Sequence, residues 1–186
     1  ASSDESLKII NKYKNKYKFI KVFKNEKNKG LTYSLNKLIK DSEGEYIARQ
    51  DSDDESMPNR IMEQITAVEK NNLDFCSSRA LVKNSNKKIP GISYYLPIRK
   101  VMKVKNPFIH GTLFIKRKVL DEVGLYDEKF YYAQDYKLMS DLLHRKYKYK
   151  IINKPLYLLN MENNISTTKR KEQAYFANLV KKNKEL

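Results

Sequence analysis

Seven consecutive residues, Arg49-Gln50-Asp51-Ser52-Asp53-Asp54-Glu55, crowd four carboxylates into five positions. Such a cluster repels itself unless a cation neutralises it. Hard divalent ions such as Mg2+ or Mn2+ take oxygen ligands and commonly bridge one or two carboxylates to a substrate diphosphate. A solvated turn ahead of a helix N-terminus, where the dipole welcomes acids, accounts for the same spacing. An EF-hand does not, because loop positions six and twelve hold Ser56 and Met62 instead of Gly and Glu. A second group, Asn106-Pro107-Phe108-Ile109-His110-Gly111-Thr112, offers His110 as a ligand or base, or as a packed hydrogen-bonding residue. A third, Tyr131-Tyr132-Ala133-Gln134-Asp135-Tyr136, places Asp135 near the start of a helix. There it fits either an N-cap or a general base within reach of an acceptor hydroxyl.

The elements that must position these groups follow from periodicity. Ser6 caps a helix with Leu7, Ile10 and Tyr13 or Tyr17 on one face, and residues 19–23 read as a short strand. A loop over 24–30 leads into a helix over 31–40 with Leu31, Leu35, Leu38 and Ile39 inward, and residues 46–48 form the next strand. Pro58 suits a first helical position, and Ile61, Ile65 and Val68 continue as a stripe to about Lys70. Strands are expected over 73–76, 79–82, 112–115, 148–152 and 156–159. Helices are expected over 118–123, stopped by Gly124, and over 135–143. Residues 83–105 are the least regular part. This alternation is the signature of an α/β sheet with crossover helices, and ligands of such sheets bind at strand ends, where the acidic loop falls.

Composition bounds the partners. The 186 residues carry 38 Lys and Arg against 22 Asp and Glu, a net charge of +16, so the chain attracts something acidic. A 40% hydrophobic share argues for a packed core of about one domain. The single cysteine, Cys76, excludes an internal disulfide and a cysteine-only metal site. No apolar run approaches a membrane span.

In order and spacing, these motifs resemble the family 2 glycosyltransferases, inverting enzymes of the GT-A fold. Ser3 and Asp4 stand as the end of the family's Asp-x-Ser-x-Asp, and Asn28-Lys29-Gly30-Leu31 with Ser34-Leu35-Asn36 resembles its Asn-x-Gly loop and following helix. Gly44-Glu45-Tyr46-Ile47-Ala48 leads into Asp51-Ser52-Asp53-Asp54 as the family's strand feeds its Asp-x-Asp. Pro107-Phe108-Ile109-His110, Val123-Gly124-Leu125-Tyr126-Asp127 and Gln134-Asp135-Tyr136-Lys137-Leu138 match the acceptor half in order. Asn160-Met161-Glu162 departs from the Arg-x-His that many relatives carry near the diphosphate.

The resemblance implies an α/β GT-A (Rossmann-like) fold, with a mixed, mainly parallel sheet flanked by helices. The glycosyltransferase domain would cover residues 1–166, and a basic helix or arm residues 167–186. It implies that the family's first strand and helix precede Ala1, so the domain is N-terminally truncated. The donor, a nucleoside-diphosphate sugar, would meet Asp4, Lys29, Gly30 and Asp51. Mn2+ or Mg2+ would be held by Asp51 and Asp53. Asp135 would be the catalytic base, with His110, Gly111, Thr112 and Gln134 on the side of a glycan or lipid-linked acceptor. The products would be surface polysaccharide or lipooligosaccharide. The basic surface suits peripheral contact with an anionic membrane on its cytoplasmic face, at about 1 kcal/mol per basic residue. Two other readings stand beside this one. An inactive relative could serve as a binding or assembly module, and a nucleic-acid binder would use the +16 charge. Against the second, lysines are spread along the chain with no helix-turn-helix or RRM signature, and no nucleic-acid partner is expected.

Overall fold

A computed structural model describes residues 4–85, 87–162 and 168–182. It divides into two compact units, 1–42 and 43–186. Ser3 and the expected boundary at 166/167 lie outside the described residues.

The first unit holds helices α1 (Ser6–Lys16) and α2 (Leu31–Asp41). No residue of α1 is buried, and the expected strand over 19–23 does not form. Among the described residues no strand runs beside that segment, and Phe19 is 81% exposed. The face that α2 buries is Thr32, Leu35, Asn36 and Ile39, so Leu31 and Leu38 turn outward. Gly30 precedes it at φ 83°, a conformation that a residue with a Cβ rarely adopts.

The second unit is built on one mixed sheet. Its strands are β1 (Tyr46–Ala48), β2 (Glu55–Ser56), β3 (Phe75–Val82), β4 (Lys88–Ile89), β5 (Phe114–Lys116) and β6 (Tyr149–Leu159). The order is β1-β5-β3-β6-β2, with β4 pairing the far end of the β3 edge that β5 begins. The GT-A expectation of an α/β mixed sheet is met. The expectation that it be mainly parallel is corrected: β3 and β6 pair in parallel, whereas β1/β5, β3/β5, β3/β4 and β2/β6 are antiparallel. β4 follows β3 through a short loop that doubles back onto it, and such a return is antiparallel. The two strands expected over 148–159 are one strand, with bulges opposite Ser78 and Arg79.

Helices α3 (Arg60–Lys70), α4 (Ile98–Val101), α5 (Arg117–Val123), α6 (Gln134–His144) and α7 (Arg170–Lys182) complete the unit. One core cluster joins Val68, Leu73, Cys76 and Phe114, flanked by Tyr46, Ile65 and Ile152. Another stacks Phe75 with Phe108 and Tyr149. Burial pushes the Cys76 thiol up to about 12, so this cysteine is a core residue rather than a reactive one. Helix α3 buries Arg60, Gln64 and Val68, one residue round from the expected Ile61 stripe, and Ile61 is 48% exposed.

Candidate active site

The acidic loop leaves β1 at the end of the sheet, and its four carboxylates divide by direction. Asp53 and Glu55 are exposed, with Glu55 paired to Lys83 at 2.9 Å. Asp51 is partly buried and paired with the Arg49 guanidinium. Asp54 turns inward and accepts the Asn160 backbone N–H at 2.7 Å and a hydrogen bond from the Tyr157 hydroxyl. Burial nevertheless holds its pKa above the ordinary carboxylate value. Asn160 thus reaches the loop through its backbone, while Glu162 accepts a hydrogen bond from Asn84 at 3.2 Å.

Two residues that sequence reasoning passed over fix this loop. Tyr157, fully buried in β6, accepts the Asp51 backbone N–H at 3.0 Å while its hydroxyl serves Asp54. Its ring lies against Gly111, where a Cβ would meet the Tyr157 hydroxyl oxygen at 2.5 Å and ring carbons at 2.8 and 2.9 Å. Arg60, 1% exposed, packs over the same ring. It donates to the Arg49 carbonyl at 2.6 Å, Ser56 Oγ at 2.8 Å, Gln50 Oε1 at 3.1 Å and Gln64 Oε1 at 2.9 Å. Gln64 in turn donates to the Thr112 carbonyl at 2.7 Å, so one buried brace joins the acidic loop to the His110–Thr112 turn. A polar pair at i, i+4 in line with Val68 is the signal that could have marked Arg60 and Gln64.

On the far side of that turn, His110 Nε2 and the Tyr126 hydroxyl share a hydrogen bond of 2.8 Å. Burial, then the Arg49 charge, pull the His110 pKa down to about 3 against the opposing pull of Asp51. It is a neutral hydrogen-bonding group at neutral pH. Burial raises the Tyr126 pKa, and both Asp135 and Asp51 act on it in the same sense. The acidic loop and the start of α6 therefore act on the same phenol.

Asp135 sits in the first turn of α6, partly exposed, and accepts a hydrogen bond from Asn106 Nδ2 at 2.8 Å. Its pKa is raised chiefly by burial, offset by the Tyr136 backbone N–H and by Asn106. The N-cap position belongs to Ala133, so Asp135 is not the cap. Gln134 is buried beside it. Thr112 was expected on the acceptor side. It is wholly buried, and its hydroxyl accepts from the Ser78 N–H at 3.1 Å and donates to the Ile109 carbonyl, which pins the turn to β3. Asp4, Lys29 and Gly30 lie in the first unit. There Asp4 accepts the Ser6 N–H at 3.1 Å, Lys29 covers the Tyr33 ring at 4.5 Å, and the Gly30 N–H donates to Asn28 at 2.9 Å.

Among the described residues no three His, Cys, Asp or Glu converge as a metal cage. The loop offers hard oxygen donors on Asp51 and the exposed Asp53, which fits an ion that takes one or two carboxylates and completes its shell with substrate phosphate.

Comparison with known proteins bears on the family and the fold. The profile of Glycosyl transferase family 2 matches residues 1–124. An uncharacterised glycosyltransferase of Methanocaldococcus jannaschii is 31% identical over 173 residues, covering 88% of this chain and 59% of its own. The O-antigen biosynthesis glycosyltransferase WbnJ of Escherichia coli is 29% identical over 149 residues, covering 78% and 58%. Among solved structures, S. aureus TarS 1-349 in complex with UDP-GlcNAc superposes with a TM-score of 0.77 at 18% identity, over 97% of this chain and 54% of that one. The mannosyltransferase PcManGT from Pyrobaculum calidifontis, in complex with GDP-Man and Mn2+, gives 0.67 at 16% identity, over 94% and 49%. The chain belongs to Glycosyl transferase family 2 and has the GT-A fold. It spans a little under three-fifths of the length of these two relatives.

Proposed function

We propose that this protein transfers a sugar from a nucleoside-diphosphate sugar to a hydroxyl of a glycan or lipid-linked acceptor, with inversion, in surface polysaccharide or lipooligosaccharide synthesis. The observation that carries the reading is Asp135. It is partly exposed, held by Asn106, and shifted upward by burial toward the range where a carboxylate accepts a proton well. The acceptor hydroxyl gives its proton to Asp135 as its oxygen attacks the anomeric carbon, and the bond to the diphosphate breaks on the opposite face. A single displacement needs one such base, without the second carboxylate of a retaining hydrolase. Asp51 and Asp53 would hold Mn2+ or Mg2+, which would supply neutralising charge to the departing diphosphate. Asp4, Lys29 and Gly30 are assigned to the donor, and His110, Gly111 and Gln134 to the acceptor side. The nucleotide-sugar complexes of TarS and PcManGT support the donor class, and the O-antigen biosynthesis role of WbnJ supports the pathway.

Among the described residues no helix is long and apolar enough to cross a membrane. Peripheral contact of the basic surface with the anionic inner leaflet belongs to the same reading. The test is Asp135→Asn assayed against UDP- and GDP-sugars. Transfer should fall about 10²–10⁴-fold with nucleotide diphosphate binding retained. Unchanged transfer would overturn the assignment of the base.

A further inference from the structure

Residues 83–105 leave β3 and return just before Asn106. They carry seven Lys or Arg and no Asp or Glu, so this eighth of the chain holds seven of its sixteen net charges. Its described residues pack onto the rest of the unit. Ser93, Val101 and Met102 are buried, the Tyr136 hydroxyl donates to the Met102 carbonyl, and the Arg79 guanidinium lies over the Tyr94 ring at 5.0 Å. Having buried those anchors, it turns its other large apolar side chains outward. Ile92 is 83% exposed, Tyr95 71%, Leu96 51% and Val104 69%. Ile92 and Tyr95 are three apart in a 3-10 turn, which places them on one face. Lys100, Lys103 and Lys105 are exposed in the turn of helix and loop that follows.

Single exposed apolar residues need no explanation, but four within thirteen positions, in a segment whose charges are all of one sign, mark an interaction surface. We infer that residues 92–105 of this excursion are a docking face for an anionic lipid bilayer. Their lysines meet the headgroups, and Ile92, Tyr95, Leu96 and Val104 enter the interfacial layer. The occupant is set by complementarity. A nucleic acid would satisfy the lysines but gives no reward for exposed isoleucine, leucine and valine, whereas an anionic interface satisfies both sets.

The placement bears on the proposed reaction, on which this inference rests for its meaning. The excursion ends one residue before Asn106, which holds Asp135, and it is anchored to α6 through Tyr136. A bilayer bound there would meet a segment tied directly to the elements that hold the candidate base.

The experiment is co-sedimentation of the full chain with phosphatidylcholine vesicles, with and without phosphatidylglycerol. Binding should require phosphatidylglycerol and weaken with salt. Replacing Lys100, Lys103 and Lys105 by Ser should lower partitioning on the order of 100-fold, at about fivefold per basic residue. Ile92→Ser with Leu96→Ser should lower it at least about tenfold at unchanged charge. All five side chains are exposed or half out of the fold, so the circular dichroism melt should match the wild type. Lys181→Ser with Lys182→Ser on α7 is the control and should retain binding. Equal binding to pure phosphatidylcholine, wild-type binding by the triple lysine variant, or insensitivity to the apolar pair would each overturn the inference. So would loss of binding only in the α7 control. Vesicle binding is read without turnover, so its failure leaves the transferase reading standing, and an inactive but vesicle-bound protein would count against that reading alone.

Discussion

Gly111→Ala tests the site where two chain segments come closest. The added Cβ would stand 2.5 Å from the Tyr157 hydroxyl oxygen and 2.8 and 2.9 Å from ring carbons, so something must move by about an ångström to restore ordinary contact. Tyr157 is poorly placed to yield. It is fully buried, lies under Arg60, and is tied through its hydroxyl to the Asp51 N–H and the Asp54 carboxylate. Overpacking of this kind costs about 1–3 kcal/mol. If the ring is displaced, the Asp51 N–H loses its partner at a further cost of about 1–3 kcal/mol. At roughly 2–4 °C per kcal/mol for a chain of this size, the combined cost of about 2–6 kcal/mol should lower melting by about 4–24 °C. Because Asp51 and Asp54 both hang on Tyr157, transfer should fall with stability, which a thermal melt and a labelled-donor assay would read together. Combining Gly111→Ala with Tyr157→Leu should recover part of the loss, with a coupling of at least about 1 kcal/mol, since the clash partner is gone. A Gly111→Ala protein that melts and transfers like the wild type, or strict additivity in the double variant, would refute the close approach.

Three further outcomes follow from the same contacts. Asn106→Ala removes the hydrogen bond that favours the Asp135 carboxylate, so the acid limb of the kcat/KM profile should move to higher pH, and an unmoved limb would deny the pair. Asp135 has a raised folded pKa, so folding favours its protonated form. The stability that this form contributes is complete below the ordinary carboxylate value and is lost as pH rises through the folded value. Asp135→Asn should therefore melt higher than the wild type at neutral pH while losing transfer, and a lower melt would argue against a burial cost. Arg60→Met strips four acceptors of their buried donor and should cost about 3–5 kcal/mol in a denaturant titration. Arg60→Lys should recover only part of that, because an ammonium cannot span the guanidinium fork.

The parts legible in the sequence were those written in local pattern. The extent of α2, the acidic loop at a strand end, Gly124 at φ 88° closing α5, and Asp135 in the first turn of α6 all rest on short-range spacing. Long-range pairing was not legible. Residues 19–23 have the composition of a strand, but a strand exists only where another backbone lies alongside. Sheet direction likewise depends on how loops return, which composition does not encode. The inward face of α3 was misread because Arg60 is buried for its hydrogen bonds, not for its hydropathy. Tyr157 was invisible for a related reason. Its partners, Asp51 and Gly111, are 106 and 46 residues away in the chain.

The last helix changes what counts as the catalytic unit. Ala133 caps α6 in the left-handed region, at φ 53°, an unfavourable place for a residue with a side chain, and its N–H is taken by Gln173 Oε1 of α7 at 3.2 Å. Phe176 adds ring contacts to Phe130 and Tyr132, and Val180 is buried. The lysine-rich end of the chain is therefore structural support for the turn two residues ahead of Asp135. A shortened protein ending before α7 would leave that backbone group unpaired and the aromatic wall uncovered. Minimal-domain trimming in this protein should therefore keep α7.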